Sequence, residues 1–313
     1  MSVAFTFPGQ GSQTVGMGKA LADSFPEARA VFAEVDEALD ERLSAVMFEG
    51  PADVLTLTAN AQPALMAVSL AAMHVLEARG VSLARSAAFV AGHSLGEYSA
   101  LAAAGSLSIA DAARLLRIRG RAMQGAVPVG VGAMAALIGV DLDLARVIAG
   151  EASAGEVCEA ANDNGGGQVV LSGARAAVER AVAIAKDRGA KRAVLLPVSA
   201  PFHCSLMAPA ARAMADALAG MDIRTPAVPL VSNVSAAPTS DPGTIRDNLV
   251  RQVTGLVRWR ESVAFLAGAG VTLFVEVGTG RVLSGLARRI VEAAETLAVG
   301  IPEDVDAAVA RLA

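Results

Sequence analysis

Gly92-His93-Ser94-Leu95-Gly96 is the one GxSxG string in the chain. It falls between a stretch that predicts a buried strand, Ser86 to Ala91, and one that predicts a helix, Leu95 to Ala104. A nucleophile elbow needs that setting. The sharp strand-to-helix turn holds the serine in strained geometry, and small residues two before and two after it leave room for neighbouring backbone. The turn also sets Ser94 at a helix N-terminus, where a free N–H at Leu95 can stabilise an oxyanion. An ordinary glycine turn between a strand and a helix would carry the same string.

A serine hydroxyl is a weak nucleophile at neutral pH and needs a base within hydrogen-bond reach. The chain has three histidines, His74, His93 and His203. His74 falls in an apolar helical run and reads as a packed core residue. His93 adjoins the serine, so the elbow should aim its side chain elsewhere. His203 lies in the loop Ser199-Ala200-Pro201-Phe202-His203-Cys204, from which a base can be delivered across a cleft. By elimination His203 is the base, although a capping or buried histidine would also suit that position. Cys204 is a poor rival nucleophile, because adjacent residues seldom aim at each other.

Arg119 adds a second kind of information. On a helix running from a Ser108-Ile109-Ala110-Asp111 capping pattern to about Gln124, residues Ala112, Leu115, Leu116, Ala122 and Met123 share one face. Arg114, Arg117 and Arg121 lie opposite, and Arg119 falls in the middle of the apolar face. A guanidinium keeps its charge in a protein, so burying one demands an anionic partner. That partner is either an internal Asp or Glu, or a carboxylate on a substrate held bidentately near Ser94.

Other chemistries lose ground on residues. A phosphate-binding loop ending at Gly18-Lys19 would need Gly at position 13 and Ser or Thr at 20, where the chain has Gln13 and Ala20. No GxGxxG follows the first strand, so nucleotide redox chemistry is unsupported. Cys158 and Cys204 sit in no metal-ligand spacing and are too few for a disulfide framework, which makes a reduced, cytoplasmic chain the default. A net charge of −5 argues against binding to nucleic acid or an anionic membrane surface. The longest apolar runs are too short for a membrane span, and the first residues lack a basic signal-peptide region.

The elements that must position these residues read as α/β. With 313 residues, 54% of them hydrophobic and 18% charged, the chain can bury a large core and suits two domains or subdomains. Val3 to Phe7 predicts a strand running into Pro8-Gly9-Gln10-Gly11, and Ala64 to Arg79 a helix. Later come a helix from Ser205 to Ala219, strands near Pro229 to Asn233 and Leu273 to Val277, and a helix from Val282 to Ala294. Alternation of this kind points to a parallel sheet. Between them, Ala133–Val140, Leu142–Ala149, Glu156–Asn162, Gln168–Ser172, Ala174–Arg188 and Arg192–Leu196 give the order βαββαβ, a ferredoxin-like unit of a size that suits an insertion. The expected division is residues 129–197 for this small subdomain, with 1–128 and 198–313 forming the large one.

Several ordered motifs carry a resemblance over nearly the whole length. They are Phe7 to Gln13 (FPGQGSQ), Gln62 to Leu65 (QPAL), Gly92 to Ala100 (GHSLGEYSA), Arg119-Gly120 with Met123-Gln124, Gly132 to Ala135 (GAMA), Gly167 to Val170 (GQVV), Ala200 to His203 (APFH), Gln252, and Glu276 to Gly278 (EVG). In these the chain resembles the malonyl-CoA:acyl-carrier-protein transacylases of bacterial fatty acid synthesis, within the acyltransferase family of fatty acid and polyketide synthases. The resemblance implies an α/β-hydrolase-like large subdomain. It implies ping-pong transfer of malonyl from malonyl-CoA through Ser94 to the phosphopantetheine thiol of acyl carrier protein. His203 would act as base and then acid, oriented by the main-chain carbonyl of Gln252, and the amides of Gln10 and Leu95 would form the oxyanion hole. Arg119, with Met123 beside it, would hold the malonyl group. No cofactor is implied, since the coenzyme A thioester is itself the substrate.

Leu95 and Phe202 match the malonyl-selective pattern, whereas Thr279, Ala61 and Gly165-Gly166 depart from residues common in the family and bear on loop geometry. An esterase or thioesterase using the same elbow, and an acyltransferase of a polyketide pathway, are the rival readings. Arg119 speaks against a simple esterase. The expected partners are malonyl-CoA and acyl carrier protein, with neither nucleic acid nor membrane, and the expected state is a monomer. Carrier proteins of this kind are generally acidic, so an acidic enzyme must dock through a local basic patch, with Lys191-Arg192 and Arg288-Arg289 as candidates.

Overall fold

The computed structural model describes residues 2–313. Ten strands form two sheets: β1 (Ser2–Phe7), β2 (Phe89–Gly92), β3 (Gly132–Ile138), β4 (Cys158–Gly165), β5 (Gln168–Ala174), β6 (Arg192–Leu195), β7 (Leu230–Val231), β8 (Pro238–Thr239), β9 (Val271–Val277) and β10 (Glu295–Val299). The larger sheet has the order β10-β9-β1-β2-β7-β8 and is parallel apart from the β7–β8 pair. The smaller has the order β4-β5-β3-β6 and is antiparallel throughout. With helices Leu142–Ser153 and Arg175–Asp187, that order is the ferredoxin-like one read from the βαββαβ pattern.

Each sheet has its own core. Ala145, Ile148 and Ala152 from one helix and Val178, Ala181 and Ala185 from the other pack on Leu137 and Leu171 of the small sheet. β1 is buried from Val3 to Phe7, as a central parallel strand covered on both faces should be. Helix Ile109–Gly125 packs against helix Thr58–Ala78, which also reaches β9. By length and composition this helix could cross a membrane, but 83% of its apolar stretch is buried inside the fold, so it serves as a core helix.

Register explains how the elbow meets the first loop. Phe7 pairs with Gly92, so the C-terminal ends of β1 and β2 lie side by side and feed Pro8-Gly9-Gln10 and His93-Ser94-Leu95 to the same edge. The approach is close enough to require glycine. A Cβ on Gly92 would lie 1.9 Å from the carbonyl carbon of Gly96, and one on Gly96 would lie 2.2 Å from the Phe7 carbonyl oxygen. Gly96→Ala is therefore expected to push the two loops apart. Stability should fall by about 1–3 kcal/mol in thermal or denaturant unfolding, as for other overpacked sites.

Several expectations need correction. The strand expected over Ser86–Ala91 begins only at Phe89, because Leu83–Ser86 makes one helical turn first. The helix begun at Val282 stops at Ile290, and Glu295–Val299 adds an edge strand beside β9. His74 is exposed on its helix rather than packed in the core. Arg117 is buried, not on a solvated face: it donates to the Ala59 carbonyl at 2.9 Å and pairs with Glu41 at 2.7 Å.

Candidate active site

Ser94 sits at φ 54°, in the left-handed region that the strand-to-helix turn imposes. Its neighbour Asn233, two residues past β7, clamps the turn from both sides. The Asn233 Oδ1 accepts the Ser94 N–H at 2.7 Å, and its Nδ2 donates to the Gly92 carbonyl at 2.7 Å. So held, the Ser94 Oγ lies 2.8 Å from Nε2 of His203. The other ring nitrogen, Nδ1, lies 2.8 Å from the main-chain oxygen of Gln252. A carbonyl there can only accept, so Nδ1 carries the hydrogen and Nε2 is left as the acceptor for the serine proton.

The remaining histidine of the elbow points away, as expected. His93 places Nε2 2.9 Å from the Asn164 Oδ1 of β4 and its ring 5.6 Å from that of Trp259. It thereby joins the elbow to the small sheet.

Arg119 reaches the nucleophile. Its side chain is buried, yet it meets only neutral oxygens: Nη1 donates to Gln62 Oε1 at 2.7 Å, and Nη2 donates to Gln252 Oε1 at 2.7 Å and to Ser94 Oγ at 3.1 Å. Of the two readings of the buried arginine, an internal ion pair is thus not the one realised by contact. Met123, also buried, accepts from Gln62 Nε2 at 3.8 Å and so backs the residue that holds Arg119.

Gln10 is tethered by its side chain to Thr58 Oγ1 at 3.3 Å, next to the elbow. Among the described residues, neither its main-chain N–H nor that of Leu95 has a protein acceptor. Two unpaired donors at the edge shared by β1 and β2 are what an oxyanion requires.

Burial, and next the positive charge of Arg119, lower the His203 pKa from 6.5 to about 3, so the imidazole is neutral at working pH. Labelling of Ser94 by a small neutral sulfonyl fluoride should accordingly remain fast well below pH 6.5, with its acid limb displaced toward 3. Because a nearby cation disfavours imidazolium, Arg119→Ala should move that limb back up. A wild-type limb at 6.5 would contradict the arrangement.

Two residues at the centre escaped the sequence reading. Glu97 is fully buried and accepts the Asn233 N–H at 3.0 Å on Oε1 and the Gln252 side-chain amide on Oε2. Burial raises its pKa to about 7, against the hydrogen bonds that lower it. Its only signal was a carboxylate on a short apolar helix directly behind the elbow. Asn233 closed an expected strand and had no signal beyond that. A cavity of about 710 Å³ lined by Arg146, Asp163, Arg258 and Glu261 lies apart from these groups; none of Ser94, His203 or Arg119 lines it.

A strained serine at a strand-to-helix turn, a histidine oriented by a carbonyl and two open amides define a serine acyltransferase built on an α/β body. Comparison with known proteins agrees and narrows the class. Residues 4–303 match the acyl transferase domain family. The chain is 45% identical over 311 residues to the malonyl CoA-acyl carrier protein transacylase of Bacillus subtilis, covering 99% of this chain and 97% of that one. An acyl-carrier-protein S-malonyltransferase crystal structure from Bartonella henselae superposes with a TM-score of 0.98 at 58% identity, covering 100% and 99% of the two chains. A malonyl-transacylase solved in complex with a type II PKS acyl-carrier protein follows at 0.96 and 42% identity, covering 99% and 100%. The chain belongs to the malonyl CoA-acyl carrier protein transacylase family.

Proposed function

We propose that this enzyme moves the malonyl group of malonyl-CoA to the phosphopantetheine thiol of an acyl carrier protein, by way of a malonyl ester on Ser94. The Ser94 Oγ attacks the thioester carbonyl while His203 Nε2 takes its proton. The oxygen of the tetrahedral intermediate gathers negative charge facing the Gln10 and Leu95 amides. Collapse breaks the carbon–sulfur bond, and the His203 proton leaves with coenzyme A as the free thiol. The carrier thiol then repeats the sequence in reverse, giving its proton to His203 and restoring Ser94.

The observation that carries this reading is the Arg119 Nη2 atom 3.1 Å from the Ser94 Oγ, on a guanidinium held only by neutral partners. Such a cation suits an acyl group that ends in a carboxylate, and Met123 supports it through Gln62. A monomer is the proposed working unit. Residues 1–128 and 198–313 would act as the large subdomain and 129–197 as the inserted one, in the cytoplasm, with no cofactor beyond the coenzyme A thioester.

The test is the fate of malonyl-enzyme offered water and a pantetheine thiol together. Transfer to the thiol should dominate. Faster release to water would make the chain a thioesterase.

A further inference from the structure

Glu97 takes part in none of the acyl-transfer steps, yet its carboxylate is buried three residues beyond the nucleophile and bonds to two elements that build the site. We propose that Glu97 is a positioning residue for the substrate-carboxylate clamp. Its carboxylate fixes which way the Gln252 side-chain amide faces, and that amide holds Arg119 beside Ser94.

Both Glu97 oxygens face N–H donors, Oε1 that of Asn233 and Oε2 that of the Gln252 side chain, so the carboxyl group accepts on both and the Gln252 amide turns Nε2 toward it. The same Nε2 donates to the Ser94 carbonyl at 2.9 Å. Its partner atom Oε1 is thereby turned to Arg119, where it accepts from Nη2 at 2.7 Å. A flipped amide would set an NH2 group against the guanidinium and an oxygen against the carboxylate, losing both bonds. Burial lowers the Arg119 pKa, and Glu97 opposes this across the amide rather than in contact with it. The guanidinium meets Ser94 through Nη2 with no carboxylate among the described residues in contact with it. Gln252 thus serves the base through its backbone and the clamp through its side chain.

Glu97→Gln removes the constraint. A glutamine there presents one donor and one acceptor where both Asn233 N–H and Gln252 Nε2 donate, so one bond is lost unless Gln252 flips. We expect kcat/KM for malonyl-CoA in the coenzyme A-releasing half-reaction to fall about 10- to 100-fold, the range for losing a hydrogen bond to a charged group. Acetyl-CoA, which does not use the clamp, should change by less than about threefold. In an Arg119→Ala background the same substitution should have no further effect on the malonyl/acetyl ratio, because its route has been removed. Glu97→Asp, which keeps the carboxylate, should recover part of the discrimination.

Equal losses with both substrates in Glu97→Gln and Glu97→Asp, or full additivity with Arg119→Ala, would show a residue that merely supports the core and would overturn the proposal. The inference rests on malonyl transfer being the reaction, and the wild-type control separates the two. A wild-type chain that fails to take malonyl refutes that reaction. A wild-type chain that discriminates, with Glu97→Gln discriminating equally, refutes only the role of Glu97.

Discussion

His203→Asn is expected to slow malonylation of Ser94 by about 10³- to 10⁴-fold, the scale on which positioned general bases act. Asparagine is the chosen replacement because His203 sits at φ 59°, a left-handed conformation that asparagine tolerates better than alanine. The fold should therefore survive, and a melting temperature close to that of the wild-type chain would establish this. With the imidazole gone, the Ser94 hydroxyl keeps only Arg119 as a close partner, and a guanidinium cannot take a proton. The oxyanion donors and the clamp remain, so some rate above water should persist. Single-turnover release of coenzyme A measures the effect. A loss of less than about tenfold would mean that another group activates the serine.

Arg119→Ala carries the second large effect and separates substrates rather than abolishing chemistry. Losing one partner of a buried, hydrogen-bonded charge pair costs on the order of 10²- to 10³-fold, and more in favourable geometry. That loss should fall on kcat/KM for malonyl-CoA. Acetyl-CoA brings no carboxylate, so its turnover should gain in relative terms once the buried charge is removed. The variant also strips Gln62 Oε1 and Gln252 Oε1 of their donors, so some stability should be lost as well. Arg119→Lys should rescue little, since one ammonium cannot reproduce the fork that spans Gln62 and Gln252. An unchanged malonyl/acetyl ratio would contradict the clamp.

Much of this site could be read from residues. The scarcity of polar candidates did the selecting: three histidines and one arginine on an apolar helix face left few choices. The GxSxG string had the right neighbours, and the close contacts at Gly92 and Gly96 give the steric reason for its glycines. The βαββαβ order was legible because each element had its own period and the unit builds its own core.

What escaped detection depended on tertiary packing. Arg117 looked solvated by helix periodicity but is covered by the chain around Glu41 and Asn60, which lie far away in sequence. His74 looked buried because its neighbours are apolar, yet it falls on the outer strip of a helix buried almost everywhere else. β10 reads weakly because four of its five residues remain partly or fully exposed at the edge of the sheet. Glu97 and Asn233 acquire meaning only once β2, β7 and the helix carrying Gln252 come together. No pattern within a single segment announces such a contact.

Transfer by this route requires a malonyl ester on Ser94. Brief exposure of the protein to malonyl-CoA, followed by intact-mass measurement and peptide mapping, tests it directly. One malonyl addition on the peptide containing Ser94, absent in Ser94→Ala and removed by a pantetheine thiol, is the expected result. Malonylation at another residue, or at undiminished extent in Ser94→Ala, would contradict it.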